Sequence, residues 1–169
     1  MSIELDGTGT VYILWNDGKQ AVGGHTQKTV AFWLKTDSLI LNRDVFWMYD
    51  AGDSEVQDVY LHSQKIGWVA YASGVNGTWE TSSNQVTNTA SWFFVAITHD
   101  LSSVSNDPIV YINGSPVAVT ETSTPTGAFG VVAGAKAQLG SNFADLSIDG
   151  NVADLRVYNR ILSAAEILD

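Results

Sequence analysis

Trp92-Phe93-Phe94-Val95-Ala96-Ile97-Thr98 is apolar at every position but the last. Successive side chains of a strand point to opposite faces, so this run reads as a central strand with one face on the core and the other also covered, in part by aromatics. Thr29-Val30-Ala31-Phe32-Trp33-Leu34-Lys35 has the same character, and both are expected to lie deep in the fold. Elsewhere the apolar residues recur in short runs, rich in aromatic and β-branched types and bounded by Gly, Asn, Asp, Ser and Thr clusters. Residues 10–15, 29–36, 45–49, 56–62, 68–72, 79–81, 92–99, 109–112, 117–120, 138–140 and 151–158 are the expected strands. Helical periodicity is almost absent, and strands at this spacing require two stacked sheets.

Between Val110-Tyr111-Ile112 and Pro116-Val117-Ala118-Val119, the residues Asn113-Gly114-Ser115 tolerate positive φ and predict a hairpin. Residues 73–77, 82–89 and 120–127 read as polar loops. One helix is expected, at the end. Ser163-Ala164-Ala165-Glu166 is a capping box, and Ile167 and Leu168 follow as its apolar face, packed against the sandwich edge.

Composition narrows the function classes. The chain has 169 residues, 45% of them apolar and 15% charged, which suits a single domain over 1–169 with a true core. Six each of Trp, Tyr and Phe supply burial that a disordered chain lacks. Acidic residues outnumber basic ones 18 to 8, a formal charge of -10, so a phosphate backbone and an anionic membrane surface would both be repelled. No apolar run approaches the roughly 20 residues a membrane-spanning helix needs. Without cysteine there are no disulfides, thiolate metal sites or thiol catalysis. Met1-Ser2-Ile3-Glu4-Leu5-Asp6 has neither the basic start nor the apolar core of a secretion signal.

Several segments, taken together, resemble the laminin-G/pentraxin-like branch of the concanavalin A-like jelly rolls. Ile3-Glu4-Leu5-Asp6-Gly7-Thr8-Gly9 with Val11-Tyr12 resembles its opening Asp-Gly followed by a strand, and Ala31-Phe32-Trp33-Leu34-Lys35 its Trp-bearing core strand. Trp92 to Asp100 is similar to its "Trp, Val-Ala-Val-Thr, aromatic-Asp" strand, with His99 where a Tyr is usual. Val110 to Val117 looks like its Asn-Gly hairpin, and Gly150 to Ile167 matches its closing strand and terminal turn. The middle, residues 39–85, follows the pattern only loosely. The resemblance implies an all-β, two-sheet antiparallel jelly-roll sandwich of the concanavalin A-like type.

Glycan hydrolases of this fold place two or three carboxylates on one strand face, in a Glu-x-Asp-x-x-Glu or similar arrangement. Nothing here reproduces that spacing; the nearest cluster, Asp50, Asp53, Glu55 and Asp58, is broken by Gly52 and reads as a solvated loop. His25, His62 and His99 do not form a triad, because no nucleophile-elbow motif frames any serine, and His99 reads as a packing histidine at the end of a core strand. No catalytic residue is assigned.

The resemblance also implies a structural calcium ion, with Asp6 and Asp154 as the matched positions and Asp149 and Asp145 nearby in sequence. A structural reading stands beside it, with Asp6 as a turn former and Asp154 paired to Arg156 or a lysine. Glycan binding needs aromatics beside amide and carboxylate groups. Candidates outside the expected core strands are Trp15 with Asn16 and Asp17, Trp47 with Tyr49, and Trp79 with Asn76, each weighed against plain packing. Asn76-Gly77-Thr78 and Asn113-Gly114-Ser115 fit a glycosylation pattern but read as turns.

A cysteine-free, acidic module of this kind, with no secretion signal, is expected to be a non-enzymatic surface protein. Its expected place is a virion surface or the extracellular space, as a phage capsid decoration or an adhesion module. Its expected partners are other virion or assembly proteins, a cell-surface glycan, or further copies in a homo-oligomer, with no nucleic acid and no membrane insertion. A free-standing carbohydrate-binding lectin is the alternative, and a glycan hydrolase ranks behind both.

Overall fold

A computed structural model describes residues 2–6, 13–15, 25–39, 42–50, 54–130, 136–140 and 147–168. Among these the strands are β1 (Ser2–Asp6), β2 (Ile13–Trp15), β3 (Gln27–Thr36), β4 (Asn42–Tyr49), β5 (Glu55–His62), β6 (Lys65–Ala70) and β7 (Gly77–Thr81). They continue with β8 (Phe93–Asp100), β9 (Ile109–Ile112), β10 (Ser115–Val117), β11 (Val119–Ser123), β12 (Lys136–Leu139) and β13 (Asp149–Tyr158), before helix α1 (Ala164–Leu168). One sheet has the order β1-β13-β3-β8-β9-β10 and the other β11-β7-β6-β5-β4-β12-β2, with antiparallel pairing throughout both. This is the expected jelly-roll sandwich.

The two doubly apolar runs become β3 and β8, adjacent at the centre of the six-stranded sheet and in register from Gln27↔Asp100 to Leu34↔Phe93. Val30, Phe32, Leu34, Phe93, Val95 and Ile97 face the second sheet and join Phe46, Met48, Val59, Leu61 and Trp68 in the main core. Fully burying a side chain of this size contributes about 1.5–3 kcal/mol. On the outer face Ala31, Ala96 and Phe94 pack with Tyr111, Tyr158, Leu162 and Ile167.

Most of that outer cover comes from the segment after β13. Thr29 Oγ1 donates to the Arg160 carbonyl (2.8 Å) and accepts from the Leu162 amide (3.0 Å), pinning the segment to β3. The capping box forms as expected: the Ser163 amide donates to Glu166 Oε2 (2.9 Å), and hydrogen bonds from Ser163 hold the Glu166 carboxyl down at about 2. The helix therefore lies on a sheet face and not at the sandwich edge. Ile167 is buried, whereas Leu168 is 68% exposed, so the expected apolar face is carried by Ile167 alone.

Three local expectations change. β1 is an additional strand, an edge strand whose alternation Ile3/Leu5 against Glu4/Asp6 buries Leu5. The expected strand 117–120 is two strands in different sheets: the chain leaves β10 after Val117, crosses at Ala118, and enters β11, which occupies part of the expected loop 120–127. A hairpin joins β5 and β6 through Ser63 (φ 47°) and Gln64 (φ 73°), a two-residue turn built without glycine. The Asn113-Gly114 hairpin has φ values of 51° and 80°, as expected. Of the expected strand 10–15, residues 10–12 lie outside the described residues.

Among the buried polar side chains, His99 and Lys28 carry titratable groups into the core. His99 accepts from Trp68 Nε1 at Nδ1 (2.9 Å) and, through Nε2–H, donates to the Asn106 carbonyl (2.8 Å), so both ring nitrogens are satisfied in the neutral form. Burial lowers its pKa to about 4. Lys28, 2% exposed, donates from β3 to Gln57 Oε1 of β5 (2.5 Å), a hydrogen bond between the two sheets.

Burial brings the Lys28 pKa down from 10.5 to about 8. The unfolded chain binds this proton more tightly, so stability rises with pH in the window between those two values. Unfolding by denaturant is expected to show a gain of about 2 kcal/mol between pH 8 and 10, and Lys28→Met should remove it.

Candidate functional site

The outer face of the seven-stranded sheet carries a groove of about 620 Å³. It arises from simple alternation. Val59 and Leu61 of β5 point into the core, so Asp58, Tyr60 and His62 point outward. The register sets Trp47 of β4 directly opposite Asp58, and Asp44 opposite Tyr60. From the other side β6 and β7 contribute Val69, Thr78 and Glu80.

Gly67 of β6 pairs with Tyr60, and a Cβ at Gly67 would come within 2.1–2.4 Å of three carbons of the Tyr60 ring. The ring therefore lies across the glycine and forms the floor of the groove. Its hydroxyl donates to Glu80 Oε1 (3.1 Å), and burial together with the Glu80 carboxylate holds the phenol well above its usual pKa. His62 Nδ1 also meets Glu80 Oε1 (2.8 Å), and Lys65 Nζ is 3.8 Å from Glu80 Oε2, so Glu80 is well partnered.

Trp47 and Asp58 are different. Trp47 is 8% exposed and Asp58 5%, yet Trp47 Nε1 and Asp58 Oδ1 are buried without a hydrogen-bond partner. A buried donor or acceptor left unmade costs about 1–3 kcal/mol, so two on neighbouring side chains in one groove are a marked feature. Burial pushes the Asp58 carboxyl well above the usual carboxylate range, with the charges of Asp44 and Glu55 adding to it. The Trp47 ring stacks on Tyr49, with centroids 5.8 Å apart and 12° between planes.

Of the sugar-binding candidates, then, Trp47 lines the groove and Tyr49 stands stacked behind it. Trp79 is a core residue, 1% exposed, with Nε1 donating to Asp107 Oδ1 (2.9 Å) and its ring against His99 and Phe129. Asn76 serves its own turn, accepting from the Ala72 amide at Oδ1 (3.1 Å). Trp15 ends β2, while Asn16 and Asp17 lie outside the described residues. In the acidic cluster Asp50 Oδ1 accepts from the Ser54 amide (2.8 Å), Asp58 faces the groove, and Asp53 lies outside the described residues. Asp44, Tyr60 and Glu80 also line the groove, and no sequence motif marks them. Period-two alternation within β5 groups Asp58, Tyr60 and His62, but adding Asp44 and Glu80 needs the long-range register.

The calcium positions do not meet. Asp6 pairs with Asp149 at one end of β1, and Asp154 lies five residues further along β13, roughly 15 Å away. A β-bulge holds Asp154 at φ 50°, and its two carboxylate oxygens accept from Arg156 (2.9 and 2.6 Å), the structural alternative weighed above. Asp145 lies outside the described residues. Among the described residues no three carboxylates or histidines cluster as metal ligands. Asp6 and Asp154 therefore do not fit a shared calcium ion.

A second groove, about 470 Å³, crosses the outer face of the six-stranded sheet beside α1. Trp33 (40% exposed), Trp92 (38%) and Phe94 line it with the Asp154–Arg156 pair.

A family model described as the concanavalin A-like lectin/glucanases superfamily, Laminin_G_3, matches residues 6–168. No curated protein sequence matches significantly. Among solved structures, the receptor binding domain of botulinum neurotoxin type G superposes with a TM-score of 0.71 at 15% identity, over 99% of this chain and 41% of that one. A heptameric SAP-like pentraxin from Limulus polyphemus gives 0.65 at 17%, over 99% and 79%. A Ruminococcus gnavus sialidase CBM40 bound to α2,3-sialyllactose gives 0.66 at 17%, over 99% and 94%. At these identities the likeness is one of fold, and the chain spans about two fifths of the neurotoxin domain.

Two outcomes are expected of the groove itself. Gly67→Ala should displace the Tyr60 ring and cost about 1–3 kcal/mol in denaturant unfolding. Asp58 has a raised folded pKa, so it subtracts stability as pH rises above its unfolded value near 3.8. Asp58→Asn should accordingly raise Tm at neutral pH, by about 2–4 °C for each kcal/mol recovered, with the difference closing below about pH 4 in a thermal melt series.

Proposed function

This chain belongs to the laminin-G family of the concanavalin A-like superfamily, and from that premise we propose that it is a non-enzymatic saccharide-binding module using the groove on its seven-stranded sheet. The observation that carries this reading is the pair of buried, unpartnered groups, Trp47 Nε1 and Asp58 Oδ1, in one aromatic-floored groove. A hydroxylated ligand supplies what both lack: a sugar hydroxyl accepts from the indole N–H while another donates to the carboxylate. Apolar faces of the sugar ring suit the Tyr60 floor. Binding domains recur among the structural neighbours, by their own titles receptor-binding or sialyllactose-bound, and support the same direction.

A second reading rests on the opposite face. Trp33 and Trp92 are exposed large aromatics beside Phe94, the kind of patch through which a protein docks on an assembly, a virion shell included. In that reading the module is a decoration, and the saccharide groove is idle.

A glycan array followed by titration calorimetry separates the two. Retention of a saccharide with no product released is expected, and Trp47→Phe should weaken it about tenfold, near 1.4 kcal/mol, by deleting one donor. Trp33→Ala with Trp92→Ala should leave it unchanged. A blank array, or turnover of any polysaccharide, would refute the proposal.

A further inference from the structure

The charge of the groove narrows its ligand. Asp44, Asp58 and Glu80 line it, and Glu55 stands close enough to Asp58 to act on its carboxyl. Among the described lining residues His62 is the one group able to carry positive charge, and it sits at the rim on Glu80. Lys65 also serves Glu80, and among the described residues no ion pair to Asp58 forms from either. The whole chain, at -10, adds a field of the same sign. An acidic lining alone would not identify a ligand, but Asp58, a residue of that lining, is 5% exposed and carries a buried oxygen without a hydrogen-bond partner.

Resting on the saccharide reading above, we propose that the groove selects an amine-bearing sugar, whose ammonium donates to Asp58 Oδ1 while the ring lies over Tyr60 beside Trp47. Three features favour a cation over a neutral hydroxyl. A charge-assisted hydrogen bond is roughly twice as strong as a neutral one. An ammonium held over an aromatic face gains a further cation–π attraction. Finally, a carboxyl pushed up by burial and then by the charges of Asp44 and Glu55 is one that a bound positive charge relieves. The same lining opposes an anionic sugar, so sialyllactose, the ligand in the CBM40 neighbour, should be rejected here.

The test compares, on the unaltered protein over a pH series from mildly acidic to neutral, a β1,4-linked glucosamine tetramer, its N-acetylated counterpart and α2,3-sialyllactose. The first two differ only at nitrogen. The free-amine tetramer is expected to bind about tenfold tighter than the N-acetylated one, with an advantage that shrinks as salt is added, and sialyllactose should not bind. Asp58→Asn should erase the difference by weakening the amine form alone. Equal or tighter binding of the N-acetylated tetramer, or an unchanged ratio in Asp58→Asn, would overturn the charge selection while leaving saccharide binding intact. Failure of all three sugars together with a blank array would sink the saccharide reading itself.

Discussion

Strands β3 and β8 are apolar on both sides, and the rest of the molecule is arranged around that constraint. Their inner side chains require a second sheet and their outer ones require a cover, which the segment from Tyr158 to Ile167 provides. Antiparallel pairing between them runs unbroken through eight residue pairs, from Gln27↔Asp100 to Leu34↔Phe93, so neither strand can slip without turning its apolar set the wrong way. With α1 and the segment before it covering part of that face, the broader polar groove lies on the outside of the seven-stranded sheet.

Within the core, polar groups are either complete or held by one partner. His99 satisfies both ring nitrogens between Trp68 and Asn106. Lys28 reaches across to Gln57. The groove stands apart from this economy, because Trp47 and Asp58 are equally buried and yet each has an atom with nothing to bond. Interiors tolerate such atoms where something else completes them, and that contrast gives the groove its functional weight.

Legibility followed the range of the interactions. The doubly apolar runs, the Asn113-Gly114 turn and the Ser163–Glu166 cap are local, and each could be read from a few residues. The Ser63-Gln64 turn could not, since neither residue signals positive φ; the Gln64 carbonyl, accepting from the Gln85 and Val86 amides, holds it there. The crossing at Ala118 was invisible because Val117 to Thr120 reads as one strand while the partners of its two halves lie in different sheets. The site was half legible. Trp47 and Tyr49 stood out by type, but the grouping of Asp44, Asp58 and Glu80 is made by three strand registers, and Trp79 sits inside because Gly77 leaves room for its ring.

The six-stranded sheet joins Ser2 to Ala153 and seats α1 over strands made much earlier. During synthesis, residues 92–98 leave the ribosome long before the chain that shelters their outer face, and β1 waits for β13 throughout. Such non-local closure is slow, and an unshielded strand of this composition is prone to pair with a neighbouring nascent copy. The interval before the last strand arrives is thus the vulnerable moment in this protein's production, and holding factors or slow expression at low temperature would act there.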